Sequence, residues 1–123
     1  MIRSRSGSGG TFQTLQGPAI ADIAVIVTDG KGFRRLTDGK GNSGFPSWAP
    51  DGRRLVYRTT SSDGKSSWLV IHDTETGEVK ELKTNSTRNN FPAWLPTGDG
   101  IAFTAYTDGD YEICTIKPDG SEI

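Results

Sequence analysis

The side chains in this chain that could perform chemistry are few and widely spaced. There is one histidine, His72, and one cysteine, Cys114, in 123 residues. Serine-based catalysis needs a serine, a histidine and an acid, often with a Gly-x-Ser-x-Gly turn, and that turn does not occur. Both residues lie in runs of strand-forming residues, where a structural role is the commoner one. We therefore expect no catalytic site and no enzymatic activity in this chain.

Metal and phosphate binding have no better support in the sequence. The Cys and His cluster that holds zinc is missing. Asp108-Gly109-Asp110 lacks the spacing of a calcium-binding loop and is explained by turn chemistry. Residues 7–10 are glycine-rich but lack the Lys-Ser/Thr ending of a phosphate-binding loop. We expect no metal and no cofactor.

The composition is typical of short strands joined by tight turns. There are 16 glycines and 6 prolines, with 9% aromatic residues and a net charge of −1. A nearly balanced charge gives no electrostatic footprint for nucleic acid or an anionic membrane, so neither is an expected partner. Disordered chains usually have few aromatics and a large net charge, so disorder is not expected either.

No targeting segment is apparent. The first ten residues lack the apolar core of a signal peptide. The most apolar run, residues 19–27, is interrupted by Asp22 and is shorter than the roughly 20 residues that span a bilayer. These features slightly favour the cytoplasm.

One motif occurs twice in the chain, with its tryptophans 46 residues apart. The sequence Phe-Pro-Ser-Trp-Ala-Pro-Asp-Gly at 45–52 recurs as Phe-Pro-Ala-Trp-Leu-Pro-Thr-Gly at 91–98. The flanking apolar segments also align, and they indicate four short strands in each unit. No segment has a sustained helical period, so we expect essentially no helix. The repeated residues are Pro46, Trp48, Pro50, Asp51 and Gly52, then Pro92, Trp94, Pro96 and Gly98.

Each repeated residue type has a physical role in such a unit. The prolines at 46 and 92 cannot donate to a ladder, so we expect them at an edge or as a strand's first residue. Pro50-Asp51-Gly52 predicts a turn. In the second copy Thr97 replaces the aspartate and is expected to cap the turn only weakly. The tryptophans are expected to pack between neighbouring sheets, with a ligand-stacking platform as the alternative.

These motifs resemble the repeat of TolB-type β-propellers, which have WD-repeat-like blades marked by a Pro-Asp pair. The resemblance implies an all-β fold of four-stranded antiparallel blades around a channel. On this basis residues 1–44 are a blade without its first strand, 45–90 a complete blade, and 91–123 a blade without its last strand. That is about two and a half blades, whereas closed rings have about 4–8.

The missing strands favour a fragment of a longer propeller protein, and a gene remnant stays an alternative. Blade faces without a neighbour should leave apolar residues partly exposed, and we expect this of Ile26, Ile101 and Phe103. Such faces also make self-association an expectation.

The resemblance implies a non-enzymatic module that binds another, unidentified protein. Related propellers also occur in prolyl-oligopeptidase-type or tricorn-like serine peptidases and in lyases, so a piece of such an enzyme is the alternative. Polar side chains in the loops before each unit's first strand are the candidate binding residues. They are Asn42, Ser43, Asn89 and Asn90.

Overall fold

Every regular element in the structure, a computed structural model that describes residues 2–6, 20–39 and 41–121, is a β-strand. This confirms the predicted all-β class. The glycine-rich residues 7–10 lie outside the described ranges. No described segment forms a helix of the length and apolarity that crossing a membrane requires. The strands are β1 (Ile2–Ser6), β2 (Ala21–Val25), β3 (Arg34–Arg35), β4 (Asn42–Trp48), β5 (Arg54–Thr60), β6 (Ser67–Asp73), β7 (Val79–Leu82), β8 (Asn89–Trp94), β9 (Ile101–Thr107) and β10 (Asp110–Ile116).

The strands form three antiparallel sheets in which chain neighbours pair with each other. Their orders are β1-β2-β3, β4-β5-β6-β7 and β10-β9-β8. Over the described residues the middle sheet therefore has four strands, and the sheets on either side have three each. The strands β4 and β8 begin at Asn42 and Asn89, ahead of the Phe-Pro pairs that mark the predicted starts of the units. The division at residues 44 and 90 stays a prediction.

Both faces of the middle sheet are buried, because alternate residues of its central strands point to opposite sides. Leu55, Tyr57 and Val70 pack with Ile23 of the first sheet. The residues that alternate with these along β5 and β6 pack toward the third sheet. They are Val56, Leu69 and Ile71. The core on that side consists of Ala49, Val56, Leu69, Ile71, Leu82, Trp94, Ile101, Phe103, Ala105 and Ile116.

The two repeated tryptophans lie in these two inter-sheet cores. Trp48 packs against the core shared by the first and second sheets, and Trp94 is buried in the core shared by the second and third. The Arg54 guanidinium lies 4.8 Å from the centre of the Trp94 ring. The backbone N–H of Trp94 donates to Ser47 Oγ at 3.1 Å. Each tryptophan therefore joins its own sheet to the preceding one.

The expected exposure of Ile101 and Phe103 is wrong. Their relative exposures are 0% and 2%, because both side chains face the middle sheet. Ile26 is half-buried. The opposite face of the third sheet exposes Tyr106, Tyr111 and Ile113 instead. Self-association through such a face stays a prediction.

The turn from β4 to β5 is organised by Asp51. Its Oδ1 accepts hydrogen bonds from the N–H groups of Arg53 at 2.9 Å and Arg54 at 3.0 Å. Gly52 follows at a φ of 69°, a left-handed conformation that glycine adopts without strain. Burial raises the pKa of Asp51, but the hydrogen bonds and the Arg54 charge outweigh it and lower the pKa to about 2.

The corresponding turn in the second copy keeps its backbone bonds without the carboxylate. The N–H of Leu95 donates to the Gly100 carbonyl at 2.9 Å, and the N–H of Gly98 donates to the Leu95 carbonyl at 2.9 Å. The Thr97 hydroxyl donates to Asp99 rather than capping the backbone. Backbone bonds are thus sufficient to form the turn.

Candidate functional site

A β-bulge occurs at the same place in β4 and in β8, which lie beside each other as the edge strands of their sheets. Phe45 and Pro46 together oppose one residue of β5, since Gly44 pairs with Arg58 and Ser47 with Val56. The register of β8 shifts in the same way between Asn90 and Ala93.

The bulges explain where the repeated prolines lie. A bulge leaves a residue out of the ladder, so a proline without an N–H is tolerated there. Pro46 and Pro92 therefore lie inside edge strands, which is the edge position that the sequence predicted as one of two alternatives.

The residue before each proline has a positive φ, 56° at Phe45 and 53° at Phe91. L-residues other than glycine adopt this region rarely, and a following proline restricts them further. Each such conformation costs about 1–3 kcal/mol and is kept only where the surrounding structure imposes it. Two aromatic residues are thus held in the same strained conformation on neighbouring sheets.

The strained conformation presents both phenylalanine rings to solvent. Phe45 is 47% exposed and Phe91 is 58% exposed. Their ring centres are 4.9 Å apart with an interplanar angle of 77°, an edge-to-face contact. The two sheets therefore share one exposed aromatic surface. We call Phe45, Arg58, Asn90 and Phe91 the inner rim.

Arg58 is the charged member of the inner rim. Its guanidinium carbon lies 4.7 Å from the centre of the Phe45 ring, and its Nη1 donates to Asn90 Oδ1 at 3.0 Å. Its Nε is buried and has no hydrogen-bond partner among the described residues. Burial lowers the pKa of Arg58. Within the described ranges no carboxylate forms an ion pair with it.

The four candidate binding residues lie inside strands rather than in loops, because β4 and β8 continue through their bulges. Asn42 Oδ1 accepts a hydrogen bond from the N–H of Ala21 at 3.0 Å. The Ser43 hydroxyl is buried and lies 2.9 Å from Thr59 Oγ1. These two side chains therefore make hydrogen bonds within the protein.

Asn89 is enclosed as well. Its Oδ1 accepts from Thr84 Oγ1 at 2.7 Å, and its Nδ2 donates to the carbonyls of Ser67 and Ser86, each at 2.9 Å. Of the four candidates, only Asn90 belongs to the inner rim. That any of them binds a ligand stays a prediction.

The lone histidine has the surroundings of a structural residue. His72 is buried in β6, and its Nδ1 has no hydrogen-bond partner in the described part of the chain. Burial lowers the pKa of His72 and the charge of Arg34 lowers it further, while Asp73 acts in the opposite direction. These surroundings favour the neutral imidazole. The described residues also contain no group of three His, Cys, Asp or Glu side chains that could hold a metal ion.

The phenylalanines and Arg58 were not among the residues predicted to bind. Two sequence features could have indicated them. A phenylalanine precedes proline in both copies, where the backbone is restricted. Arg58 interrupts the otherwise apolar run that begins at Leu55.

Among curated proteins, the chain is similar to both TolB proteins and a peptidase. It is 34% identical to the Tol-Pal system protein TolB of Alcanivorax borkumensis over 64 residues, which are 52% of this chain and 14% of that protein. It is 35% identical to the uncharacterized peptidase YuxL of Bacillus subtilis over 84 residues, which are 68% of this chain and 13% of that protein. The chain therefore spans only a small part of these relatives. No family model matches it.

The fold is also found among solved structures. A protein assigned to TolB from Agrobacterium tumefaciens superposes with a TM-score of 0.73 at 21% identity. The match covers 98% of this chain and 43% of that one. This likeness extends over all three sheets and establishes their arrangement as that of propeller blades.

Proposed function

Because its sheets are TolB-like β-propeller blades, we propose that the chain is a non-enzymatic protein-interaction module whose inner rim binds a peptide segment of a partner. The observation that supports this most strongly is the pair Phe45 and Phe91. Both residues have a strained, left-handed backbone conformation, and both expose their rings to solvent. Strain of this kind concentrates at functional sites.

The chemistry of the inner rim suits a peptide better than a small metabolite. Two exposed aromatic rings offer an apolar platform at the edge of β4 and β8. Aromatic residues and arginine are the types most enriched where proteins bind each other. The similarity to proteins named for the Tol-Pal system agrees with a binding role.

A defined array of synthetic peptides tests this proposal. The chain is compared with a Phe45→Ala/Phe91→Ala double variant, and a Tyr111→Ala/Ile113→Ala double variant serves as the control. We expect a subset of peptides to bind the chain and the control but not the rim variant. Equal binding by all three proteins would overturn the proposal.

A second candidate function is the propeller part of a serine peptidase. It is favoured by the 35% identity to the peptidase YuxL over 84 residues. The gene sequence that flanks the region encoding this chain distinguishes the peptidase from the interaction module. A downstream α/β-hydrolase segment with a Gly-x-Ser-x-Gly turn would support the peptidase.

A further inference from the structure

Among the described residues, the guanidinium of Arg58 has neither a carboxylate partner nor a full set of hydrogen-bond acceptors. Arginine has five N–H donors. One is used by Asn90 at 3.0 Å, and the buried Nε has no acceptor among the described residues. The Phe45 ring attracts the charge but accepts no strong hydrogen bond.

Arg58 is only half-buried, so a group from solvent can reach part of its side chain. Its ladder partner on β4 is Gly44, which has no side chain. The Phe45 ring lies against the Arg58 guanidinium, and the exposed Phe91 ring contacts the Phe45 ring. A carboxylate is the group that an arginine binds best, because two of its N–H groups can meet both oxygens at once.

We infer that the inner rim recognises an acidic side chain, Glu or Asp, next to an apolar residue in a partner peptide. Arg58 binds the carboxylate, and Phe45 and Phe91 contact the apolar neighbour. A side chain is favoured over a peptide C-terminus because C-terminal carboxylates are usually held by backbone N–H groups, whereas the donor here is a single guanidinium. This inference rests on the proposed function of the same rim.

The position in the third sheet that corresponds to Arg58 holds no arginine. Arg58 pairs with Gly44 of β4, and in β8 and β9 the equivalent pair is Asn90 with Thr104. Asn90 then supplies the acceptor that orients Arg58 from the next sheet. The rim therefore contains one cation, Arg58, which lies against the Phe45 ring.

Two small probes test the inference directly: N-acetyl-glutamyl-leucinamide and its glutaminyl counterpart, which lacks the charge. Their binding is followed by the NMR signal of the buried Arg58 Nε–H. We expect the glutamyl probe alone to shift this signal. Equal shifts with both probes, or no shift with either, would overturn the inference. N-acetyl-leucine provides a terminal carboxylate, and a shift as large as that of the glutamyl probe would overturn the choice of a side chain.

Variants separate the charge from the fold. Arg58→Gln should weaken glutamyl-probe binding about tenfold or more, the effect of losing a charge-assisted hydrogen bond. Arg58→Lys keeps the charge without the paired geometry and should give an intermediate loss. Arg88→Gln makes the same change in net charge outside the rim and should have no effect. Equal losses in Arg58→Gln and Arg88→Gln would contradict a specific role for Arg58.

Failure of the two proposals can be told apart. Suppose array peptides bind through Phe45 and Phe91 but tolerate exchange of every Glu for Gln and Asp for Asn. The carboxylate inference then fails while the binding function stands. If the glutamyl probe shifts the Arg58 signal but no peptide depends on the phenylalanines, the binding function and the apolar contact both fail, and only carboxylate binding by Arg58 stands.

Discussion

Asn89 and Asn90 are consecutive residues of β8, but the Asn89 amide is enclosed by hydrogen bonds to Thr84, Ser67 and Ser86, whereas the Asn90 amide accepts from Arg58 at the inner rim. Successive side chains of a strand point to opposite sides, so neighbours in sequence have different surroundings. Two residues that look alike in the sequence therefore differ in what they stabilise.

Substituting these two asparagines should separate stability from binding. Asn89→Ala removes three side-chain hydrogen bonds and leaves buried groups without partners, which should lower the free energy of unfolding by about 2–3 kcal/mol. Asn90→Ala should lower it by less than about 1 kcal/mol. Urea unfolding followed by tryptophan fluorescence measures both, and equal losses would contradict the assignment.

The two sides of the third sheet should respond differently to truncation. Phe103→Ala removes a fully buried ring from the core shared with the middle sheet and should cost about 3–5 kcal/mol, enough to unfold a marginally stable chain. Ile113, 83% exposed on the adjacent strand, is the matched control, and Ile113→Ala should cost under about 0.5 kcal/mol. Circular dichroism at increasing temperature distinguishes the two outcomes.

Backbone strain at Phe45 can be measured with two truncations that both remove the ring. Phe45→Gly also relieves the left-handed conformation, whereas Phe45→Ala keeps it. The glycine variant should therefore be about 1 kcal/mol more stable than the alanine variant. At Ser47, which lies outside the bulge, the order should reverse. A less stable Phe45→Gly would show that the phenylalanine is not strained.

Stability should fall in mild acid because of His72. Burial lowers its pKa in the folded chain below the ordinary value of 6.5, so the unfolded chain binds the proton more readily. The neutral His72 side chain contributes fully to the free energy of unfolding above pH 6.5. This contribution is lost as the pH falls from 6.5 toward the pKa of His72 in the folded chain. The slope is at most about 1.4 kcal/mol per pH unit for one proton.

His72→Gln is the control for this effect, because the chain has no other histidine. Its unfolding free energy should be nearly constant over the pH range just below 6.5. An unchanged slope in the variant would place the titrating group elsewhere.

The second turn should gain stability from the cap that it lacks. In Thr97→Asn the side-chain oxygen can accept from the following N–H groups as Asp51 does, without adding a carboxylate beside Asp99. We expect a gain of about 0.5–1 kcal/mol, and a loss of about 1 kcal/mol for Asp51→Ala. Thermal unfolding of the two variants checks the signs, and a loss at both sites would contradict the capping argument.

The fold was predictable because its signals are local and occur twice. Pro50, Asp51 and Gly52 each favour a turn through their own backbone preferences. Trp48 and Trp94 mark the packed side of two strands, so their burial follows from the repeat. The exposure of Ile101 and Phe103 was misjudged because the sequence does not show which face of a strand meets the neighbouring sheet.

The inner rim could not be predicted in the same way because it depends on contacts between sheets. The conformation of Phe45 follows from a bulge opposite β5, and the position of Arg58 follows from an acceptor on β8. Asn42 and Ser43 were placed in a loop because a proline ordinarily ends a central strand. On an edge strand with a bulge, the ladder continues on both sides of it.

The burial of both faces of the middle sheet bears on how such a molecule changes in evolution. Leu55 faces one neighbour and Val56 the other, so a duplicated unit supplies one half of each new interface. Gain or loss of a whole 46-residue repeat preserves the kind of contact between sheets, whereas loss of part of a repeat disrupts two interfaces at once. Unequal recombination between whole repeats therefore changes the number of sheets with less disruption of their interfaces than an insertion inside one repeat.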